Sequence, residues 1–122
     1  MNKAFVTIFL FSFYLLLNAS IGEIVLHPDG SLHNHNGQPI YLADQPDLYY
    51  DDVEQEIIID GTGEATFYDV DIVSLSTLDT VLSTCVNGTY DTIDVSSLPD
   101  DNYKIVITSS LENVFVGYFT NY

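Results

Sequence analysis

The chain has 122 residues, of which 18 are acidic and only 2 are Lys or Arg, so its formal net charge is −16. A surface this negative is repelled by nucleic acid phosphates and by anionic membranes, which excludes both as partners. The single cysteine, Cys85, excludes an internal disulfide and a thiolate pair for a structural zinc site. A chain of this length forms one domain whose core needs neither device.

The first 22 residues have the three-part layout of a secretory signal peptide. Lys3 gives a positive end, the apolar run from Ala4 to Leu17 follows, and small residues complete the segment. The run is shorter than the roughly 20 residues that a membrane-spanning helix needs. We therefore expect a signal-peptide helix that is cleaved after Ser20 or Gly22, and an exported chain that is periplasmic, on the cell surface or secreted. Without Lys3 its charge is 1 − 18 = −17.

Residues 23–46 are predicted to form a short strand and a loop-rich lead-in. The strand covers Glu23 to Leu26, and the segment from His27 to Pro46 is rich in proline and glycine, which interrupt regular structure. The main domain is expected over residues 47–122.

From residue 48 onward the sequence consists of short β-branched and aromatic runs separated by turn residues. The run 66–73 alternates, with Tyr68, Val70 and Ile72 on one face and Asp69 and Asp71 turned to water. Seven strands are predicted, at 48–51, 56–60, 66–73, 80–86, 89–95, 103–109 and 114–120. This spacing indicates an all-β fold, an antiparallel sandwich of the immunoglobulin-like or fibronectin type III-like kind.

Local patterns predict further details of this sandwich. Asn87-Gly88 is typical of a two-residue hairpin turn between the strands at 80–86 and 89–95. Leu98 and Pro99 precede Tyr103, which places a tyrosine corner at the start of the penultimate strand. The apolar run 57–59 suits a strand that is buried on both faces, and Cys85 is expected to be a small buried side chain.

The segment from Ile93 to Ile105 reads Ile-Asp-Val-Ser-Ser-Leu-Pro-Asp-Asp-Asn-Tyr-Lys-Ile. It resembles the pattern Ile-Asp-x-Ser-x-Leu-Pro-x-Gly-x-Tyr-x-Ile/Val of exported bacterial immunoglobulin-like domains, with Asp101 in place of the glycine. The pattern occurs in a domain-of-unknown-function family of small exported β-sandwich proteins from Bacteroides-type gut bacteria. It also occurs in the C-terminal sorting domains of type IX secretion. The first group fits better, because its members combine a signal peptide, a short lead-in and one sandwich. The resemblance covers about residues 46–122 and implies no catalytic residues.

Several acidic groups and one histidine cluster are candidate metal ligands. Calcium takes six to eight oxygen ligands, which these groups offer without matching a twelve-residue calcium loop. The candidates with oxygen ligands are Asp51, Asp52, Asp69, Asp71, Asp100, Asp101 and the amide Asn102. His27, His33 and His35 are the histidine candidates. The simpler interpretation is solvated charge for the acids and a loop for the histidines.

Two short motifs suggest modification, whereas no pattern suggests catalysis. Asp79-Thr80-Val81 and Asp91-Thr92-Ile93 resemble the Asp-Ser/Thr-aliphatic acceptor of O-glycosylation in exported proteins of the same bacterial group, which makes Thr80 and Thr92 candidates. No G-x-S-x-G nucleophile motif is present. We expect neither an enzyme nor a cofactor.

The last predicted strand has two apolar faces. Phe115 and Phe119 lie on one, and Val114, Val116 and Tyr118 lie on the other, which favours a core contact on one side and a partner or second copy on the other. Our hypothesis is an exported, non-enzymatic binding, adhesion or envelope interaction module that contacts a protein or glycan. The alternatives are a secretion-sorting or structural domain and a calcium-dependent binding module. The oligomeric state stays open at this point.

Overall fold

The computed structural model describes residues 21–29 and 42–121, which form nine strands and no helix. The predicted signal-peptide helix lies outside these residues, and no described segment is a helix that could span a membrane. The strands are β1 (Ile21–Ile24), β2 (His27–Pro28), β3 (Asp47–Asp51), β4 (Glu56–Asp60), β5 (Phe67–Ser74), β6 (Thr80–Asn87), β7 (Tyr90–Asp94), β8 (Asp101–Ser109) and β9 (Val114–Asn121).

The strands form two antiparallel sheets that pack face to face. The four-stranded sheet has the order β1-β3-β4-β7, and the five-stranded sheet has the order β2-β9-β8-β5-β6. The seven strands from β3 onward match the seven predicted ones. Three of them lie in the first sheet and four in the second, where β6 lies beside β5. The predicted immunoglobulin-like or fibronectin type III-like sandwich is therefore confirmed.

Strict alternation of side chains builds the core between the sheets. Tyr68, Val70 and Ile72 of β5 are buried, as are Ile57 and Ile59 of β4 on the facing sheet. The residues between them on β5, the acidic pair included, are largely exposed to water, as the period-2 pattern predicts. The prediction that the whole run 57–59 is buried on both faces was wrong, because the residue between the two buried isoleucines is turned outward and only partly buried.

The N-terminal segment 21–28 joins both sheets. β1 pairs with β3, and β2 pairs with β9, so the segment crosses from one sheet to the other. Ile24 and Leu26 bury their side chains in the common core during this crossing. Gly117 of β9 makes room for them, since a Cβ there would lie 2.9 Å from a side-chain carbon of each.

Tyr103, at the start of β8, holds the turn that precedes this strand. Its buried hydroxyl donates a hydrogen bond to the carbonyl oxygen of Pro99, four residues upstream. Its ring stacks on Phe119 with the centroids 5.4 Å apart. Burial raises the pKa of the Tyr103 hydroxyl, and the nearby Asp101 and Asp100 carboxylates raise it further.

Asn121, the last residue of β9, links the two sheets through a buried amide. Its Oδ1 accepts a hydrogen bond of 2.5 Å from the hydroxyl of Tyr50 on the opposite sheet. Its Nδ2 donates to the carbonyl oxygens of Val95, at 3.2 Å, and Leu98, at 3.1 Å. These bonds fix the connection between β7 and β8 to the end of the core.

Asp44 is a buried carboxylate that the sequence did not single out. It accepts hydrogen bonds from the Ser109 hydroxyl and from Asn113 Nδ2, the latter at 3.0 and 3.1 Å. The Tyr68 hydroxyl donates to its main-chain oxygen at 2.8 Å. The described donors, Ser109 and Asn113, are both neutral, and their hydrogen bonds compensate the burial of the carboxyl group. Desolvation raises the pKa of the Tyr68 hydroxyl, and the Asp44 charge adds to that effect.

Asn87-Gly88 is a corner between the sheets, so the predicted hairpin was wrong. β6 pairs with β5, whereas β7 pairs with β4 in the other sheet. The Asn87 side chain stabilises the corner by accepting a 2.8 Å hydrogen bond from the backbone N–H of Thr89. Gly88 is needed for close packing, since a Cβ there would lie 2.0 Å from the carbonyl oxygen of Ala65.

Cys85 is exposed, which corrects the expectation that it is buried. It lies on the outward side of β6, directly opposite Asp69 of β5, while the neighbouring Val86 points into the core. Partial desolvation, together with the Asp69 charge and a hydrogen bond to it, raises the pKa of the Cys85 thiol.

Candidate binding face

The outer face of the four-stranded sheet is strongly acidic. Its outward positions carry six carboxylates: Glu23, Asp47, Asp51, Glu56, Asp60 and Asp94. Three of them, Asp51, Glu56 and Asp94, face one another directly across neighbouring strands. Like charges in such positions repel and keep their hydration, so this face is adapted to water.

The outer face of the five-stranded sheet, hereafter the five-stranded face, is different. At its centre Val106 of β8 lies directly opposite Val116 of β9, and both side chains are half-buried with no described residue layered over them. Val114 extends this apolar strip along β9, and Val73 of β5 lies diagonally from Val106, beside Lys104. Tyr118, which is 58% exposed, borders the strip.

The five-stranded face carries few charges. Asp69 and Asp71 of β5 are its acids, and Lys104 of β8 offsets one of them. Lys104 lies between Val73 and Tyr118 in register. Asp71 Oδ1 also accepts a 2.5 Å hydrogen bond from the Ser83 hydroxyl. The charged side chains on the strands of this face therefore sum to −1, against −6 on the opposite sheet, and Asp29, which follows β2, lies beside Val114 at the rim.

The candidate calcium ligands are engaged in structural hydrogen bonds or stand apart. Asp51 Oδ1 accepts from the backbone N–H groups of Val53, at 3.0 Å, and Glu54, at 3.1 Å. Asp101 accepts from the hydroxyls of Ser76, at 2.6 Å, and Ser74, at 2.7 Å, which lowers the pKa of its carboxyl group.

Three further candidate calcium ligands are Asn102, Asp52 and Asp100. Asn102 Oδ1 accepts from the Thr120 hydroxyl at 2.6 Å, and Asp52 and Asp100 are exposed. Across residues 21–29 and 42–121, no three His, Cys, Asp or Glu side chains form a group that could hold a metal ion.

The histidine cluster is described only in part. His27 lies on β2 and is exposed, whereas His33 and His35 lie outside the described residues. His27 and Gln45 line an open cleft of about 400 Å³ beside β1 and β2. The chain that connects the two walls of this cleft, 30–41, is also outside the described residues, so no role is assigned to the cleft.

The two candidate glycosylation residues are accessible on edge strands. Thr80 begins β6 and Thr92 lies in the middle of β7, and both are exposed. Either hydroxyl is therefore open to a modifying enzyme, and the modification itself stays a prediction.

Comparison with known proteins bears on the fold. A DUF3244 family protein from Bacteroides vulgatus ATCC 8482, whose crystal structure has an immunoglobulin-like β-sandwich fold, is similar to this chain with a TM-score of 0.64. The two are 16% identical, and the match covers 84% of this chain and 99% of that chain. At this identity the similarity shows a common fold. No family model matches the sequence, and no curated protein matches it.

The contrast between the two outer faces was only partly visible in the sequence. The alternation within the last strand predicts two apolar faces but does not say which of them is turned outward. Val114 and Val116 lie near Val73 and Val106 only because β9, β8 and β5 are neighbouring strands. The alternation within one strand does not encode which strands are neighbours.

Proposed function

We propose that the protein is an exported, non-enzymatic binding module that contacts a protein or glycan of the cell envelope through the five-stranded face. The observation that carries this proposal is the contrast between the faces of one highly acidic molecule. One face keeps six carboxylates in water, and the strands of the other present valines and Tyr118 with a charge sum of −1.

Desolvation explains why the five-stranded face is the better docking surface. Removing apolar area from water contributes about 25 cal/mol per Å², which Val106, Val114 and Val116 supply on contact. Covering the acidic face instead would require several carboxylates to lose hydration, and each uncompensated loss costs several kcal/mol. Exposed tyrosine is also favoured in contact surfaces, because it combines a large apolar area with a hydroxyl.

Membership in the domain-of-unknown-function family of exported Bacteroides-type proteins is part of the same proposal. The run from Ile93 to Ile105 supports it at the level of sequence, and the similarity to the Bacteroides vulgatus protein is consistent with it at the level of fold. Family membership supports export of a single sandwich and leaves the ligand to experiment.

A pair of matched variants tests the binding face. Val116→Glu places a charge at the centre of the five-stranded face, and Ile58→Glu makes the same kind of change at a partly buried outward position of the other face. Binding of the labelled protein to envelope fractions of the producing cells, with unlabelled protein as competitor, gives a dissociation constant for each. We expect V116E to bind at least about tenfold more weakly and I58E to bind as the unaltered protein does. Equal affinities of the two variants, or no saturable binding at all, would contradict the proposal.

The two alternative functions predict different results. A calcium-dependent module melts at a higher temperature with calcium than with a chelator, because a ligand bound only to the folded state stabilises it. A secretion-sorting domain is lost from the outer membrane fraction when the secretion machinery is removed. For the binding module we expect equal melting temperatures, and an unchanged distribution of the protein between cell fractions when the secretion machinery is removed.

A further inference from the structure

Strand β6 is an edge of the five-stranded sheet whose own side chains include no charge and no proline, and the backbone N–H of its last residue, Asn87, donates to the carboxylate of Asp91. Its eight residues, Thr-Val-Leu-Ser-Thr-Cys-Val-Asn, are all uncharged, and the uncharged stretch continues to Tyr90. Between residues 42 and 121 no longer stretch is free of charge. Proteins normally guard such edges with charged side chains, prolines or bulges, because an open edge pairs with other strands.

The other described edges are guarded. β7 carries Asp91 and Asp94, β1 carries Glu23, and β2 has only two residues, one of them Pro28. A second strand laid against β7 would meet carboxylates on the edge strand itself. Among the described strands, β6 is therefore the edge that is open to pairing.

Within the described part of the chain, the outward backbone groups of β6 before Asn87 are unpaired and regularly placed. The register with β5 shifts between Ile72 and Val73, which leaves Val81 as an extra residue and a bulge near the start of the strand. From Leu82 onward the register is regular, and the outer side of the 82–86 backbone has no hydrogen-bond partner among the described residues. Most side chains of the strand are exposed, including Thr84 and Cys85.

We propose that β6 pairs antiparallel with β6 of a second copy of this chain, about a twofold axis perpendicular to the sheet. Self-complementarity selects a second copy as the occupant. An antiparallel pair of two β6 strands satisfies the outward backbone groups of both copies at once and opposes no carboxylates on the paired strands. Asp79 and Asp91 lie at the two ends of β6, outside the central residues 82–86. The acids of the neighbouring strand, Asp69 and Asp71, lie one strand inward, which separates them from their copies by about 14 Å, or three strand spacings. This exceeds the Debye length of about 8 Å at physiological salt.

The pairing has a consequence for binding. An axis perpendicular to the sheet keeps both five-stranded faces on the same side, so the dimer presents one continuous ten-stranded surface with two copies of the valine strip. Two linked faces bind a repetitive envelope surface with avidity. This consequence rests on the proposed function, whereas the edge pairing does not.

The oligomeric state tests the pairing directly. The molar mass of the purified protein is measured by light scattering after size exclusion, in reducing buffer and over roughly 1 µM to 1 mM protein. We expect a concentration-dependent dimer, and a dissociation constant at least about tenfold higher for Thr84→Glu, which places a charge on the open edge. The matched control is Thr92→Glu on the guarded β7 edge, which should leave the dimer unchanged. Circular dichroism establishes that both variants are folded.

Disulfide formation between two copies of the chain reports the register and the symmetry of the β6 pairing. In a twofold antiparallel pair, only the residue on the axis lies opposite its own copy, and the next residue is about 8 Å from its copy between Cα atoms, beyond disulfide reach. We compare Cys85 with the single-cysteine variants S83C/C85S and T84C/C85S, using oxidised glutathione as the oxidant. It accepts the two electrons and two protons that two thiols release on forming the bond.

The outcomes are distinct. Rapid crosslinking at one of the three positions, with slow crosslinking at its neighbours, supports the paired edge. A monomer at every concentration overturns the proposal, as does a dimer that T92E weakens and T84E does not. A dimer with equal crosslinking at all three positions overturns the twofold geometry. None of these results depends on envelope binding, so failure of the proposed function is measured separately.

Discussion

The Tyr103 hydroxyl connects a single residue to the stability of the β7–β8 turn. It satisfies the Pro99 carbonyl oxygen while its ring stays stacked on Phe119. Replacement by phenylalanine removes the hydrogen bond and keeps the ring in place. The effect of this change therefore isolates the hydroxyl.

We expect Tyr103→Phe to lower the free energy of unfolding by about 1–2 kcal/mol, because a partly buried carbonyl loses its partner. Urea denaturation measures the change. Tyr118→Phe, at an exposed position, is the control and should stay within about 0.5 kcal/mol. Equal losses in the two variants would show that the Pro99 contact contributes nothing.

The alkylation rate of the Cys85 thiol should depend on pH and on the neighbouring Asp69. Partial desolvation and the opposite Asp69 raise the pKa of the thiol, so less thiolate exists near neutral pH than in an unperturbed cysteine. Asp69→Asn removes the charge and should lower the pKa of the thiol, which increases the alkylation rate at pH 8 by about threefold. Alkylation rates between pH 6 and 10 give the titration curve. Asp71→Asn, opposite Ser83, is the control, and an equal acceleration there would contradict a specific role for Asp69.

The burial of two residues, Asp44 and Cys85, could not be predicted from the sequence. Asp44 is one of 18 acids, and nothing in its neighbourhood distinguishes a buried carboxylate from a solvated one. Its burial depends on Ser109 and Asn113, which are more than 60 residues away in the chain. Cys85 lies in an apolar stretch that suggests burial, but the strand is an edge and the residue is on its outward side.

Among the elements, the segment 21–28 depends most on a small partner residue. It crosses from one sheet to the other over Gly117, where Ile24 and Leu26 approach the β9 backbone. A side chain at Gly117 would push the crossing segment out of the core. Both sheets would then lose an edge strand.

We expect Gly117→Ala to destabilise the fold by about 1–3 kcal/mol through overpacking. Gly22→Ala is the matched control, since a Cβ at Gly22 in β1 meets nothing within 4 Å. Urea unfolding compares the two, and hydrogen exchange at Ile24 and Leu26 should accelerate in G117A alone. Unchanged stability of G117A would mean that the segment does not pack against β9 in this way.

Elements were more predictable than their connections. Alternation over residues 66–73 and 103–109 predicts two strands, which the structure has as β5 and β8, because one buried face imposes a period of two. Asn87-Gly88 correctly predicts a turn, but it does not predict which sheet the following strand joins. A turn code is local, whereas the choice between a hairpin and a corner depends on packing of the following strand against β4.

At the scale of the whole molecule, β1 sets the point at which the proposed signal peptide ends. Ile21 pairs with Asp51 and Gly22 pairs with Tyr50, so cleavage after Gly22 would remove half of β1. We expect the exported protein to begin at Ile21, after cleavage following Ser20. N-terminal sequencing should read Ile-Gly-Glu-Ile. A mature protein that begins Glu-Ile-Val-Leu would contradict this assignment.

The central claim is that the two outer faces of the sandwich have unequal roles. Tyr118 lies on the five-stranded face and Tyr49 lies on the acidic one, so the same tyrosine-labelling reagent reports on both. Covalent footprinting of the protein, free and bound to envelope fractions, measures the accessibility of each. The account predicts that binding lowers the modification of Tyr118 at least about threefold and leaves Tyr49 unchanged. Protection of Tyr49 with Tyr118 still accessible would contradict it.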